Sequence, residues 1–319
     1  MPRRPASSLG RRLKHAALAR AVVLAAGLAR RLPPHWDAAA ARLLTGLVRL
    51  AAPGLDRRLR ANLKLVYGRP PAGLAEGVWI GLGRGFIEFA RLATMTPEQL
   101  RRTAVCRGLG HWRRAVAGGR GAILLSGHLG NFELLGAILA ARGVPLALLA
   151  RLKDDDLTEA WADGLRRRCG AEVLPKTAIR AAVRRLACGV GVGLLADQAV
   201  SVGGVSAPFL GRPAATAPGP LLLARLSGAA ILPVFIHRDP NGRPVVELQG
   251  PLARPAGGDA EADLRAGAAL MNAVYSAAIA ARPADWLWLH RRFKSPRAWR
   301  GVERSAESAL AADGGPNMN

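Results

Sequence analysis

The fold is decided by residues 121–143, GAILLSGHLGNFELLGAILAARG, which predict a short strand, a tight turn and a helix. Ala122–Leu125 is a four-residue apolar run, too short for a helix and suited to a buried parallel strand. Asn131 is a favourable N-cap for a helix that begins at Phe132. We therefore expect a strand-to-helix turn, the kind of place where open α/β sheets carry their functional sites.

The predicted turn region carries a histidine and a glutamate, His128 and Glu133, five positions apart. On one continuous helix, residues five apart point about 140° away from each other and do not meet. If His128 lies in the turn and Glu133 in the first helical turn, their side chains converge at the carboxyl end of the strand. A carboxylate against one imidazole nitrogen fixes the tautomer and leaves the other nitrogen as a general base. The alternative interpretation is a polar turn without chemistry.

The composition predicts an anionic partner. The chain of 319 residues has a net charge of +24, with 46 basic and 22 acidic residues. Aromatic residues make up only 5% of the chain and no basic–aromatic stacking motif occurs, so nucleic acid is not expected as a partner. Apolar and basic residues are mixed in the N-terminal part, which favours an anionic membrane surface or a phosphorylated lipid.

Residues 1–60 are predicted to form membrane-anchoring helices. The uninterrupted apolar run at Ala21–Ala29 is shorter than the roughly 20 residues that span a bilayer. We therefore expect a membrane-associated or marginally spanning helix there, and a buried helix of a globular protein is the alternative. Further helices are predicted at Asp37–Ala51, Leu55–Tyr67 and Leu74–Thr94, of which the second has a basic face.

One α/β domain is predicted over residues 61–300, followed by a flexible tail over residues 301–319. Apolar strand-like segments alternate with helical segments from Arg120 onwards, which predicts a mostly parallel central sheet flanked by helices. The predicted strands are Ala122–Leu125, Leu146–Leu149, Glu172–Leu174, Val190–Leu195, Ala230–Ile236 and Val245–Leu248. The predicted helices are Phe132–Arg142, Asp156–Cys169, Ile179–Cys188, Pro220–Leu226 and Asp263–Ala280. Phe209–Thr216, FLGRPAAT, is predicted as a Gly/Pro loop that leads into a helix.

Two further strands of the predicted sheet end in polar residues. Arg151 follows the second predicted strand, and Asp197 and Gln198 follow the fourth. In a parallel sheet these residues emerge at the same edge as His128. An ion pair between Arg151 and Asp197 and a direct contact with substrate are both compatible with this placement.

Several kinds of catalytic site have no counterpart in the sequence. There is no G-x-S-x-G nucleophile elbow, no Walker A phosphate loop and no His-Glu-x-x-His zinc motif. The three cysteines lack Cys-x-x-Cys spacing, and GVGVG at residues 189–193 lacks the glycine spacing of a dinucleotide site. No cofactor or metal is therefore expected. A His–carboxylate pair without a nucleophile fits direct transfer to a hydroxyl group.

A set of motifs, taken together, resembles one enzyme family. In chain order they are NLKLVYG (62–68), GRGFIEFARL (83–92), GHLGNFELL (127–135), ARLKD (150–154), LLADQ (194–198), the stretch 209–238 and WLWLHRRFK (286–294). This set resembles the late lipid A acyltransferases, which are membrane-bound enzymes that move a fatty acyl chain from acyl carrier protein onto a lipid A precursor. Related enzymes acylate mannosylated phosphoinositides from acyl-CoA and share the WLWLHRRFK ending, so they are the alternative within the resemblance.

The resemblance implies a catalytic role for His128 and Glu133, which match the family's histidine and acidic residue. In the mechanism that we predict, Glu133 orients His128, and His128 deprotonates an acceptor hydroxyl whose oxygen attacks the thioester carbonyl directly. Backbone N–H groups around Leu129–Asn131, which include Gly130, are expected to contact the substrate by stabilising the oxyanion. The α/β domain would then be the acyltransferase domain.

The resemblance also implies how the substrates are bound. Arg151, oriented by Asp197, is expected to hold a phosphate or carboxylate of the acceptor, and Gln198 completes the family's Asp-Gln pair. Expected partners are acyl carrier protein or acyl-CoA as donor and a glycolipid as acceptor. The expected location is the cytoplasmic face of a bacterial inner membrane. Two interpretations remain outside this family: a hydrolase that passes the acyl group to water, and a non-catalytic protein that binds anionic lipid.

Overall fold

The computed structural model describes residues 9–150, 157–200, 203–253 and 259–293. Arg151 and the predicted tail at residues 301–319 lie outside them. The helices are α1 Leu9–Ala29, α2 Asp37–Ala51, α3 Pro53–Tyr67, α4 Leu74–Arg91, α5 Pro97–Thr103, α6 Leu109–Val116, α7 Phe132–Ala141, α8 Leu157–Arg168, α9 Ile179–Ala187, α10 Gly219–Ser227 and α11 Ala260–Ala281, with short 3-10 helices at Pro34–Trp36 and Pro283–Asp285. The strands are β1 Val105–Arg107, β2 Ile123–Ser126, β3 Leu146–Ala150, β4 Ala171–Pro175, β5 Gly191–Leu195, β6 Val205–Phe209, β7 Arg212–Thr216, β8 Ile231–Arg238 and β9 Pro244–Leu248.

Within the described chain, seven strands form one sheet in the order β1-β9-β8-β2-β5-β3-β4. Every neighbouring pair is parallel except β8 and β9. The predicted α/β class with a mostly parallel sheet is therefore confirmed. The strand β2 lies in the middle of the sheet and is buried at all four positions, as expected of a parallel strand that is covered on both faces. It delivers the turn that follows it to the centre of the carboxyl edge.

Helices cover both faces of the sheet and form two apolar cores. Ile123 and Leu125 belong to the core that includes α3, α9, α10 and α11, whereas Leu124 belongs to the core that includes α5, α6 and α7. This alternation follows from the two-residue period of a strand. Burying each of these side chains contributes on the order of 1.5–3 kcal/mol. The strand that leads to His128 is thus held from both sides.

The N-terminal helices pack against α4. Where α2 crosses α4, a Cβ at Gly83 would lie 2.7 Å from the carbonyl oxygen of Ala41, so only glycine permits this close approach. Arg91 of α4 donates two hydrogen bonds of 2.5 Å to the carboxylate of Asp37 at the start of α2. The predicted boundary at residue 60 falls inside α3, and the division into an anchoring part and an α/β domain stays a prediction.

Large apolar side chains are exposed on α1, α2 and the segment between them. They are Val23, Leu24, Leu28, Trp36, Leu43, Leu47, Val48 and Leu50. Exposed apolar surface of this extent is typical of an interaction site. In the described chain, α11 is long and apolar enough to span a membrane, and the segment from Pro34 to Tyr67 passes the same test only as a pair bent by 100°. Because α11 buries Met271 and Tyr275 in the core, this is weak evidence for a spanning helix.

The six predicted strands are confirmed as β2, β3, β4, β5, β8 and β9, with ends that differ by one or two residues. The prediction of a loop at Phe209–Thr216 is wrong, because β6 and β7 form an antiparallel hairpin there. Leu210 and Gly211 make its two-residue turn with φ values of 49° and 73°. Tight hairpin turns need such positive values, so the glycine that suggested a loop is the residue that closes the hairpin.

Candidate active site

Residues 127–131, which we call the histidine turn, connect β2 to α7 and place His128 at the carboxyl edge of the sheet. The side chain of Asn131 accepts the N–H of Leu134 at 3.1 Å, so the predicted N-cap is confirmed. Gly130 has φ +61°, and a Cβ there would collide with the carbonyl oxygen of Ile236. The turn therefore requires glycine at this position.

The imidazole of His128 is hydrogen-bonded to Asp197. Nδ1 of His128 lies 2.8 Å from Oδ1 of Asp197, and the backbone N–H of His128 donates to Oδ2 at 3.0 Å. The strand register explains this meeting, because Ser126 of β2 pairs with Leu195 of β5. Two residues beyond that pair, each strand delivers one member of the dyad. The carboxylate assigns the proton of the neutral ring to Nδ1 and leaves Nε2 as the base.

Asp197 is completely buried. In addition to the bonds from His128, its Oδ2 accepts the indole N–H of Trp286 at 2.8 Å. Burial alone would raise the pKa of Asp197, but the charge on His128 and the hydrogen bonds from His128 and Trp286 hold it below its ordinary value. Asp197 is therefore ionised at neutral pH and stabilises the imidazolium form of its neighbour. A Cβ at Gly127 would lie 3.1 Å from Cγ of Asp197, so this glycine makes room for the carboxylate.

The carboxylate of Glu133 has a different partner from the one predicted. It accepts two hydrogen bonds, of 2.5 and 3.0 Å, from Arg166 of α8, and Arg166 also donates to Asp163 at 2.6 Å. Burial would lower the pKa of Arg166, but these two carboxylates raise it above its ordinary value. Among the described residues Asp197, and not Glu133, is bonded to His128, which corrects the predicted pairing. The reason is that β5 adjoins β2, whereas Glu133 begins a helix that packs beside α8.

The other residues predicted to bind substrate are placed as follows. Arg151 lies outside the described residues, and Asp197, which was expected to orient it, is bonded to the imidazole of His128. Gln198 follows Asp197 and is half-buried. The N–H of Gly130 donates to the carbonyl oxygen of Asp285 at 2.9 Å. Contacts of these residues with substrate, and a catalytic role of Glu133, stay predictions.

A C-terminal segment completes the site and was not predicted to belong to it. Leu287 donates its N–H to the carbonyl oxygen of His128 at 3.0 Å, and Trp286 forms an isolated antiparallel bridge with Leu129. Together with the Trp286–Asp197 bond, these contacts hold both members of the dyad. The available signal was the WLWLHRRFK stretch, which contributed only to the family resemblance. Nothing in its local pattern relates it to the histidine turn.

A cavity of about 370 Å³ adjoins His128. Its walls are mostly apolar and come from α4, the start of α7, the end of β8 and the 3-10 helix Pro283–Asp285. Charged and polar side chains also line it, namely Arg84, Glu88, Asn131, Glu133, His237, Arg238 and Asp285. In the part of the chain that the structure describes, no cluster of three or more His, Cys, Asp or Glu residues is arranged to hold a metal ion. The arrangement offers a general base at the wall of an apolar cavity with polar groups around it.

The family and the relatives that this chain resembles are all acyltransferases. The family described as bacterial lipid A biosynthesis acyltransferase matches residues 10–295, which include the whole site. The phosphatidylinositol mannoside acyltransferase of Mycobacterium tuberculosis (strain CDC 1551 / Oshkosh) is 32% identical over 271 residues, covering 80% of this chain and 84% of that protein. The lipid A biosynthesis palmitoleoyltransferase of Escherichia coli (strain K12) is 28% identical over 260 residues, covering 77% and 82%. The lipid A biosynthesis lauroyltransferase of the same organism is 28% identical over 264 residues, covering 80% and 85%.

Proposed function

Because this chain belongs to the bacterial lipid A biosynthesis acyltransferase family and is an acyltransferase, we propose that it moves a fatty acyl chain from a thioester to a glycolipid hydroxyl. The donor is the acyl thioester of acyl carrier protein or of coenzyme A. The observation that carries this proposal is the His128–Asp197 hydrogen bond at the wall of the cavity. A buried carboxylate on Nδ1 prepares Nε2 to accept the proton of an alcohol.

In the proposed reaction, Nε2 of His128 removes the proton from the acceptor hydroxyl as its oxygen attacks the thioester carbonyl carbon. The C–O bond forms, the carbonyl π electrons move to oxygen, and a tetrahedral oxyanion results. Collapse of this intermediate breaks the C–S bond, and the imidazolium returns its proton to the leaving thiolate. Asp197 stabilises the imidazolium between the two steps. General base catalysis of this kind contributes about 10²- to 10⁴-fold.

Oxyanion stabilisation is proposed for the N-terminus of α7. The N–H groups of Leu129 and Gly130 are already bonded, to the carbonyl oxygens of Gly127 and Asp285. We therefore assign the stabilisation of the oxyanion to the backbone N–H groups of Asn131 and of the first residues of α7. The helix dipole adds to their effect, because it favours negative charge at this end.

The acceptor that we propose first is a lipid A precursor, in line with the family. A mannosylated phosphoinositide is the second candidate, favoured by the 32% identity to a phosphatidylinositol mannoside acyltransferase against 28% for the two lipid A enzymes. Both acceptors combine sugar hydroxyls with phosphate, so the same catalytic geometry serves either. Expected roles of Arg151 and Gln198 in holding the acceptor remain part of this proposal.

The test of this function measures thiol release and lipid product together. Purified protein is given palmitoyl-CoA or palmitoyl-acyl carrier protein with either acceptor in detergent micelles, and free thiol is followed with a thiol-reactive dye. Mass spectrometry then shows which acceptor has gained an acyl chain. An equal rate of thiol release with and without acceptor would identify a hydrolase. Lipid binding without thiol release would identify a non-catalytic lipid-binding protein.

We also propose that the enzyme works at the cytoplasmic face of a bacterial inner membrane. The exposed apolar side chains of α1 and α2 support this, together with exposed cations on the neighbouring α3, Arg57, Arg60 and Lys64. Apolar contact combined with attraction to anionic headgroups is how interfacial helices bind a membrane. Sedimentation with anionic vesicles tests the proposal, and protein that stays in the supernatant at physiological salt contradicts it.

A further inference from the structure

Two charged side chains in the cavity beside His128 have no hydrogen-bond or ion-pair partner within the described part of the chain. Among the described residues, neither the guanidinium of Arg84 nor the carboxyl group of Asp285 makes a hydrogen bond or ion pair, although both line the cavity. The other carboxylates there, those of Glu88 and Glu133, are each paired with an arginine. Among the described residues, the cavity thus contains two carboxylates that are paired with arginines, and a cation and a carboxyl group that are not directly paired.

Both unsatisfied groups are attached to the histidine turn. The backbone carbonyl oxygen of Asp285 accepts the N–H of Gly130 at 2.9 Å. The carbonyl oxygen of Gly85, which follows Arg84 in α4, accepts a hydrogen bond from the side chain of Asn131 at 3.3 Å. The backbone that carries them is therefore held close to the catalytic base, on two different walls of the same cavity.

The folded chain disfavours the ionised form of the half-buried Asp285. Burial raises the pKa of Asp285 although Arg282, Arg238 and Arg84 lower it, so the ionised carboxylate is poorly compensated in the folded chain. A charge that only supported the fold would be expected to have a direct partner, as Glu88 does. Uncompensated ionisable groups beside a catalytic residue are typical of substrate contacts.

We propose that Arg84 and Asp285 hold a phosphorylated sugar of the acceptor, with the guanidinium on the phosphate and the carboxylate on ring hydroxyls. A guanidinium binds phosphate through two parallel hydrogen bonds, and a carboxylate accepts several hydroxyl donors. A ligand that carries both an anion and hydroxyl groups satisfies both side chains at once, which an acyl chain cannot do. The inference rests on the proposed function and assigns this side of the cavity to the acceptor.

The donor is a second source of phosphate, because phosphopantetheine carries one, and the test has to separate the two. The variants are Arg84→Gln and Asp285→Asn, each assayed with palmitoyl-CoA and a lipid A precursor in its phosphorylated and dephosphorylated forms. The Michaelis constant of the acceptor is measured at saturating donor, and that of the donor at saturating acceptor. Arg282→Gln is the matched control, since it removes a cation that acts on Asp285 but does not line the cavity.

Both variants should raise the acceptor KM by about tenfold or more, the scale of a lost hydrogen bond to a charged group, and leave the donor KM within about twofold. Arg84→Gln should have this effect only on the phosphorylated acceptor. Arg282→Gln should leave both constants near their wild-type values. Asp285→Asn should unfold at an equal or higher temperature than the wild type, because it removes an ionised group that the fold disfavours.

Three results would overturn the inference. An unchanged acceptor KM in both variants removes these residues from acceptor binding. A rise confined to the donor KM assigns the phosphate to phosphopantetheine. A lower unfolding temperature for Asp285→Asn, with constants unchanged, shows that Asp285 supports the fold. Failure of the proposed function gives a different result, because the wild type itself would then acylate no acceptor.

Discussion

The replacement of Asp197 by asparagine is the sharpest test of the catalytic pair. The carboxylate uses its two oxygens differently: Oδ1 faces Nδ1 of His128, while Oδ2 accepts the backbone N–H of His128 and the indole N–H of Trp286. Asparagine keeps the size of aspartate but has only one oxygen. It can therefore accept either the hydrogen bond at the Oδ1 position or the two at the Oδ2 position, but not all three.

The two orientations of the amide have different consequences. With its oxygen in the Oδ2 position, asparagine keeps both N–H donors satisfied and turns its NH₂ group towards Nδ1 of His128. The ring then carries its proton on Nε2 and has no base facing the acceptor. The opposite orientation brings the NH₂ group against two buried N–H donors, and each unsatisfied donor costs about 1–3 kcal/mol. We therefore expect Asp197→Asn to fold with the wrong tautomer of His128.

The expected loss of acyl transfer is about 10⁴-fold, the effect of the same change in serine proteases that use a His–Asp pair. Thiol release at saturating donor measures the loss, and nitrogen NMR of the imidazole identifies the tautomer directly. Glu133→Gln is the matched control, because it makes the same chemical change in the carboxylate that is paired with Arg166. If Glu133→Gln abolishes turnover while Asp197→Asn keeps it within tenfold of wild type, the assignment of the dyad is refuted.

Three further outcomes are expected. His128→Ala should lower acyl transfer by at least about 10²-fold, the scale for losing a general base, in a protein that circular dichroism shows to be folded; near wild-type turnover would contradict the mechanism. Leu43→Glu combined with Leu47→Glu should reduce sedimentation with anionic vesicles, because it places charge on the exposed apolar surface of α2. Turnover in detergent is the folding control, and undiminished sedimentation would exclude α2 from the membrane contact. Trp286→Phe removes a hydrogen bond that lowers the pKa of Asp197, so this pKa should rise. Ionised Asp197 stabilises the fold above its unfolded pKa and loses that contribution as the pH falls through its folded pKa. Acid unfolding followed by circular dichroism should therefore begin at a higher pH in this variant, and equal midpoints would count against the bond.

The elements around the site are predictable where a single local signal decides them. The apolar run at Ala122–Leu125 predicts β2 to within one residue, because a parallel strand buried on both faces is apolar at every position. Asn131 predicts the start of α7 because its side chain satisfies a free helix N–H. The β6–β7 hairpin is missed because its turn needs a positive φ at Leu210. Leucine rarely adopts such a φ, so the local sequence does not indicate the turn.

The pairing of side chains in the site is not local and so could not be predicted in the same way. Strand ends identify His128 and Asp197 as residues of one sheet edge, but not as neighbours. They are 69 positions apart in sequence, and they meet because β5 enters the sheet between β2 and β3. Glu133 is the nearest carboxylate in sequence that follows His128, so both sequence distance and the family resemblance favour it as the partner. Trp286, 89 positions from Asp197, has no local signal at all.

The charge balance of the two carboxylates supports the proposed pairing of His128 with Asp197. Glu133 is neutralised by Arg166, which is charged at every stage of the reaction, so the strength of this pair does not change as the proton moves. Among the described residues, the carboxylate of Asp197 is hydrogen-bonded only to His128 and Trp286, and of these only His128 can acquire a positive charge. The attraction between Asp197 and the ring is therefore strongest once the acceptor proton has been taken. Catalysis depends on interactions that strengthen towards the transition state, and of the two carboxylates only Asp197 meets that condition through direct contact.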